Sequence, residues 1–471
     1  MQEKTLNKII YKDSFIIFSI RLLSTLAMIL IAYAFSHSLS TTDYGRYTNY
    51  WNRFYAFNAF AGLGIAAFIF TYSKDKLILL LRQIKRGQYI ALALFMLVAS
   101  IAFAGVQARS GYPALISIAF MLLNTLCIIT ESALIIFRKF RQIFWINLLY
   151  LIAFLWLHYR QLHAPIFDAA SLFSSLCILF AVKLLVSGFF LYERNAAPQA
   201  EEVPAETNYQ KLWLHLYLFD MTQILMVYVD KFVVSILLNE STAAIYNNGS
   251  TPIPLLPIIF SAVSSASLMQ FSKYDKGDTV MQTSIMRNLA RILSNFAFPI
   301  FFFFVFFRYE FIVTYFSNKY IPSIPIFLAS LFVIPLRMFN YTIIFQKHER
   351  GDIINTGVLL DIGATLALVY PLYLFMGLPG IALSFVLGTY IQAGFYLYKM
   401  TRILQQPIHR IVPITNLVMK FLFYGLLVYG LYEGLIPFVR PITAMLSTIC
   451  VTAVVILAIV RREYRSAQHL S

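Results

Sequence analysis

Long apolar runs alternate with short polar interruptions along the whole chain. The runs read at 15–38, 48–72, 88–107, 113–136, 143–160 and 169–192, then at 211–238, 244–268, 288–307, 323–345, 353–375, 379–400, 413–436 and 441–460. Nearly all approach or exceed the roughly 20 residues that a helix needs to cross a hydrocarbon core of about 30 Å. A membrane β-barrel would show alternating segments of about ten residues, a pattern this sequence lacks. The periodicity predicts an all-α polytopic membrane protein of about 14 transmembrane helices. The long polar stretch ERNAAPQAEEVPAETNYQK (193–211) splits the first twelve runs six and six. The expected organisation is a six-helix lobe (1–192), a solvated cytoplasmic linker (193–210), a second six-helix lobe (211–402), and two extra transmembrane helices with a cytoplasmic tail (403–471).

Composition agrees and charge adds orientation. Of 471 residues, 60% are hydrophobic and 12% charged, about half the charged share of a soluble protein. The net charge of +16 does not imply a nucleic-acid partner, because most Lys and Arg cluster at alternate helix ends. That asymmetry is the positive-inside rule. It makes SKDKLILLLRQIKRG (73–87), FRKFRQ (137–142) and RREYRS (461–466) cytoplasmic, and with them both termini. The basic N-terminal stretch leads into a run too long for a signal peptide, which reads as an uncleaved first helix. Cys127, Cys177 and Cys450 lie in apolar runs and read as small buried hydrophobes. The seven histidines are scattered, and no metal-ligand spacing, phosphate loop or nucleophile motif appears. No cofactor and no enzymatic activity are expected.

Two polar interruptions resemble each other. LSTTDYGRYTN (39–49) follows the first run, and LNESTAAIYNN (238–248) follows the first run of the second half. Leu39 aligns with Leu238, Tyr47 with Tyr246 and Asn49 with Asn248. Their equivalent positions indicate an internal duplication, and related halves around a shared site are a common transporter design.

In order, LSTTDYGRYTNYW, GLGI (62–65) and KDK (74–76) resemble the start of polysaccharide-export proteins. These form a branch of the multidrug/oligosaccharidyl-lipid/polysaccharide exporter superfamily, whose Wzx-type members flip O-antigen and other repeat units. YVDKFVVSILLNESTAAIYNNGSTPIPLLPIIFSAVSSASL (228–268), YFSNKYIPSIPIFLAS (315–330) and MGLPGIALSFVLG (376–388) are similar to its later helices in the same order, with Ala244 where the second turn usually carries Gly. The resemblance implies two six-helix lobes around a central cavity in a bacterial inner (plasma) membrane. It also implies alternating-access transport of a lipid-linked oligosaccharide, with membrane lipids and other polysaccharide-assembly proteins as partners.

Charges inside spans are the candidate chemistry, since each costs several kcal/mol unless it snorkels, pairs or lines water. Arg21 (SIRLLST), Arg53 (YWNRFYAF) and Arg337 (VIPLRMFN) are candidate substrate contacts, with snorkelling the rival reading for Arg21 and Arg53. Arg337 lies near mid-span beside a kinking Pro335. In HLYLFDMTQILMVYVDKFVVS (215–235), Tyr217, Asp220, Gln223, Asp230 and Lys231 form a polar stripe, with Asp220 and Lys231 about 20° apart on the helix wheel. Lys231 is a further substrate candidate, Asp220 and Asp230 are candidate ion-coupling groups, and packing ion pairs are the alternative. Lys183, Arg291 and Lys420 read as snorkelling cations; Glu131 and Asp361 are not placed by the sequence.

The cargo that the resemblance implies is a polyprenyl-pyrophosphate-linked oligosaccharide, whose anionic and polar head requires a cationic, hydrated path. Arginine suits it, because its planar fork donates paired hydrogen bonds to phosphate. Lipid II flippases and MATE-like drug exporters are same-fold alternatives. A membrane glycan polymerase or ligase would need a sizeable outer loop, and the longest here is RYEFIVTYFSNKYIP (308–322).

Overall fold

The computed structural model describes residues 26–65, 85–137, 139–192, 209–250, 277–339, 341–348 and 350–468. Residues 193–208 of the expected linker, the proline-rich stretch 251–257 and Arg21 lie outside them. All regular structure among the described residues is helical. Contacts divide the chain into two compact units, Met1–Ala244 and Ile245–Ser471.

The first unit holds α1 (Leu26–Ser38), α2 (Thr41–Ala61), α3 (Arg86–Ala108), α4 (Ala114–Ile136), α5 (Phe140–Leu162), α6 (Ala169–Tyr192), α7 (Tyr209–Leu237) and the first turn of α8 (Glu240–Ser250). The second holds the rest of α8, α9 (Thr279–Phe306), α10 (Arg308–Phe316), α11 (Ile324–Leu331), α12 (Ile343–Lys347), α13 (Gly351–Met376), α14 (Leu378–Leu404), α15 (Ile408–Ile411), α16 (Ile414–Leu435) and α17 (Pro441–Gln468). Ten segments among the described residues are long and apolar enough to cross a membrane. The chain is a polytopic α-helical membrane protein. Fourteen spans remain an expectation: the runs at 15–38, 48–72 and 244–268 extend beyond the described residues, and the striped α7 is not among the ten. Outward-facing Ile178, Leu185 and Phe189 on α6, and Leu446, Val454 and Leu457 on α17, are exposed apolar residues, as lipid-facing surfaces require.

The repeated polar turn has a local cause. Each copy starts a helix whose first N–H groups lack intrahelical partners. Ser40 caps α2, its Oγ accepting from the Asp43 N–H at 3.0 Å. At the aligned position, Asn239 caps α8, its Oδ1 accepting from the Thr242 N–H at 2.8 Å. The aligned Tyr47 and Tyr246 are both buried, as are Asn49 and Asn248. The two turns also touch. A Cβ on Gly45 would collide with the Glu240 carbonyl and lie 3.4 Å from the Cβ of Ala244, which is Gly45's own repeat equivalent. Ser241 donates to Thr41 Oγ1 at 3.0 Å, and Arg46 pairs with Glu240 at 2.7 Å.

From this crossing α2 runs along α7, which explains why the compact unit ends after α7 rather than at the linker. Tyr55 stacks on Tyr228 at 4.9 Å between centroids, and Phe57 meets Phe232 at 5.8 Å. At the far end Trp213 Nε1 donates to the Leu63 carbonyl at 2.8 Å, and Gly64, at φ +60°, lets the chain pass against the Tyr217 backbone. Behind α2 lies an aromatic core of Tyr50, Trp51, Phe54, Phe103, Phe120 and Phe173. The Arg46–Glu240 pair is half exposed on the arginine side, where such a bridge contributes about 0.2–1 kcal/mol. Arg46→Ala is therefore expected to change the thermal unfolding midpoint of detergent-purified protein by no more than a few degrees.

Candidate functional site

The tenth apolar run, expected to be one helix over 323–345, is broken. α11 ends at Leu331, a short 3₁₀ turn follows at Pro335–Met338, Phe339 is extended (φ −134°, ψ 134°), and helix resumes only at α12. Pro335 at the head of the turn is the sequence cause: it lacks an N–H, and its ring crowds the preceding helical turn. Irregular backbone at membrane depth is tolerated only inside protein or beside water. Here the freed Phe332 carbonyl accepts from Tyr390 Oη at 3.1 Å.

Arg337 sits in this turn. Its side chain is exposed. Its guanidinium makes no hydrogen bond or ion pair among the described residues; its electrostatic neighbours are Tyr341 and Asp361.

Asp361, on α13, is 1% exposed. Thr365 Oγ1 donates to its Oδ1 at 3.3 Å, while its Oδ2 has no hydrogen-bond partner among the described residues. The Thr389 hydroxyl of α14 faces the carboxylate but donates its hydrogen to the Phe385 carbonyl at 3.0 Å. Gly388 makes the room, since a Cβ there would run into Thr365 Oγ1 and Asp361 Oδ1. Asp361 had no partner visible in the sequence. Its signal was faint: an acidic residue in an apolar run, with Thr365 one turn on.

The other candidates are placed differently. Arg53, 6% exposed, is bound by neutral acceptors on three residues. Its Nη1 donates to Ser110 Oγ at 2.7 Å and to Gln107 Oε1 at 3.3 Å. Its Nε donates to Ser235 Oγ at 3.3 Å, and its Nη2 to the Ser235 carbonyl. It neither snorkels nor meets a carboxylate through these bonds, so its positive charge is held inside the α2–α7 seam. Asp230 and Lys231 are both buried and lie 3.6 Å apart as an ion pair. Asp220 falls in α7, with its side chain outside the described set.

Two expected snorkelling cations are corrected. Lys183 pairs with Glu131 at 3.3 Å and lies 4.4 Å from the centre of the Tyr150 ring, while Asn147 donates to the other Glu131 oxygen. Lys420 is buried and donates to the Arg291 carbonyl at 2.8 Å. In both cases the ammonium meets an acceptor within the protein.

No protein-family model matches the chain, and no curated protein matches it by sequence. Solved structures do match. A lipid II flippase, MurJ, in an inward closed conformation superposes with a TM-score of 0.66 at 13% identity, over 97% of this chain and 99% of that one. An inward-facing MATE multidrug transporter of the MOP superfamily gives 0.55 at 13% identity, over 83% and 98%. The chain has their fold. At that identity the likeness carries architecture and leaves cargo open.

Proposed function

We propose that the chain is a flippase that moves a polyprenyl-pyrophosphate-linked oligosaccharide (an O-antigen, capsule or exopolysaccharide repeat unit) across a bacterial inner membrane by alternating access. The observation that carries this reading is Arg337, a guanidinium with no hydrogen-bond or ion-pair partner among the described residues, in the break of an apolar run. A cation kept there without a protein partner costs several kcal/mol, and an anionic ligand would offset that cost. Pyrophosphate matches the guanidinium fork. A lipid-linked cargo agrees with the fold shared with a lipid II flippase over nearly the whole chain. An exporter of cationic drugs would be opposed by the same charge.

In this reading Arg53 and Lys231 reach cargo only when α2 and α7 part, because two of Arg53's nitrogens are tied to Ser235 on α7. Arg21 belongs to the proposal as a cation on the first span. Asp220 and Asp230 remain proposed coupling groups, and Asp361, with one open oxygen, joins them.

The test is reconstitution into liposomes carrying a fluorescent polyprenyl-pyrophosphate oligosaccharide in the inner leaflet. Time-dependent exposure of the glycan to an added, membrane-impermeant glycosidase is expected with the protein and absent from empty liposomes. Transfer of lipid II alone would move the assignment to that cargo. Transport of an organic cation with no glycan movement would replace it with drug export.

A further inference from the structure

In the second unit, α9 and α16 pack side by side in register. Lys420 Nζ donates to the Arg291 carbonyl at 2.8 Å, and Tyr424 Oη donates to Asn295 Oδ1 at 3.2 Å. Both contacts span 129 residues, so the helices run parallel, and the same offset sets Asn416 beside Arg287. At this level α15 meets α9: Arg287 Nη1 donates to the His409 and Arg410 carbonyls at 3.4 and 3.2 Å. Arg287, Arg291, Arg410 and Lys420 thus gather at one end of the pair. α9 and α15 contain no acidic residue, and Glu433 lies at the far end of α16. Asp278 caps α9, accepting from the Met281 N–H at 3.0 Å.

Two groups in this cluster are unsatisfied. The Arg291 side chain makes no hydrogen bond or ion pair among the described residues, although its Nε is shut off from solvent. The Asn416 amide makes no hydrogen bond among them either, and its Oδ1 is buried. Side chains on a helix tilt toward its N-terminus, so Arg291 leans toward the level of Arg287 and Asn416. A row of apolar side chains leads away from the cluster: Ile414, Val418 and Leu422 on α16 are 50%, 50% and 56% exposed.

We propose that this cluster binds an anionic phospholipid, its phosphodiester against Arg291 and Asn416 and its acyl chains along Ile414, Val418 and Leu422. The proposal uses none of the groups at the Arg337 break and assumes no cargo. A phosphodiester supplies what Arg291 lacks, an acceptor for a planar and weakly hydrated guanidinium. Lys420, 8% exposed, and Arg287 add positive charge on either side of it. Basic pockets between transmembrane helices recognise lipid headgroups in this way. Charge alone would admit inorganic phosphate. The apolar row selects the lipid, because acyl chains cover it and a free ion does not. A zwitterionic headgroup is disfavoured, since it brings its own ammonium into a cluster of cations. The bound lipid joins α9 to α16 and stabilises the folded chain by mass action.

Native mass spectrometry of the full chain, purified and delipidated in detergent, measures the binding of added phosphatidylglycerol and phosphatidylcholine. Wild type is expected to bind phosphatidylglycerol at least about tenfold more tightly than phosphatidylcholine. Arg291→Gln should lose about tenfold of that affinity, the equivalent of one charge-assisted contact. The substitution orphans no acceptor among the described residues, and Arg291→Lys should recover part of the loss. Arg440→Gln removes an exposed cation beyond the far end of α16 and should bind as wild type does. Two comparisons need no variant to fold: the two lipids against each other, and phosphatidylglycerol against excess inorganic phosphate, which should not displace it. Equal affinity for the two lipids would overturn the proposal. Equal losses in Arg291→Gln and Arg440→Gln would overturn it too, leaving only attraction to net charge. Displacement by inorganic phosphate would overturn the lipid assignment and make this a site for a free anion.

Discussion

Arg337→Ala is expected to remove most transport while leaving as much folded protein in the membrane as wild type. The two halves of that expectation have separate causes. A charge-assisted contact to phosphate contributes about 1.5–3 kcal/mol, so its loss corresponds to roughly a tenfold to hundredfold slower transfer. Stability should fall little, because the guanidinium makes no hydrogen bond or ion pair among the described residues. Arg337→Lys should recover part of the rate, since charge survives while the bidentate fork does not.

Arg53→Ala should behave in the opposite way. It deprives Gln107, Ser110 and Ser235 of a donor and separates α2 from α7, which is expected to cost about 1–3 kcal/mol and lower abundance. Both variants are scored by glycosidase exposure in liposomes and by membrane level in the same preparations. An abundant Arg337→Ala protein with wild-type transfer rates would end the anion-site reading.

Much of this architecture was legible in the sequence because hydrophobic length is a one-dimensional signal. Arg337 was legible for the same reason, since a charge stands out in an apolar run and Pro335 marks a weak point beside it. The full break of the span was not, because a proline alone produces a kink as readily as an interruption. Arg53 was half legible. Its cost was plain, but the sequence offered only snorkelling or a cavity, whereas the structure supplies neutral acceptors, one of them 182 residues away. Asp361 was invisible as a site for a related reason. What distinguishes it is an oxygen without a partner and a glycine on the neighbouring helix that makes room, and both are facts of packing. The repeated turn was visible as a pattern, and its capping role followed from residue type. That its two copies meet at equivalent residues could come only from three dimensions.

That meeting point gives the second large effect. Gly45→Leu is expected to block the crossing of α2 and α8 and to stop transport. A side chain at position 45 has no volume to enter: its first carbon already collides with the Glu240 carbonyl, a backbone atom that no rotamer change can move. The helices must therefore separate at this end, breaking the Ser241–Thr41 hydrogen bond and pulling Ser235 away from Arg53. If this seam closes and opens in each cycle, a protein unable to close it completes no cycle. Ala244→Gly, at the equivalent position, removes a side chain and should be tolerated, with a helix-propensity cost of up to about 1 kcal/mol. The readout beyond transport is labelling of Ser235→Cys by a membrane-impermeant maleimide added outside the cell. Serine 235 is buried in the closed seam, so labelling should be slow in an otherwise wild-type chain and fast when Gly45→Leu is added. Ala244→Gly should leave it slow. Slow labelling together with intact transport in the Gly45→Leu protein would mean that the crossing yields elsewhere, and that it is a rigid support for α2 with no part in gating.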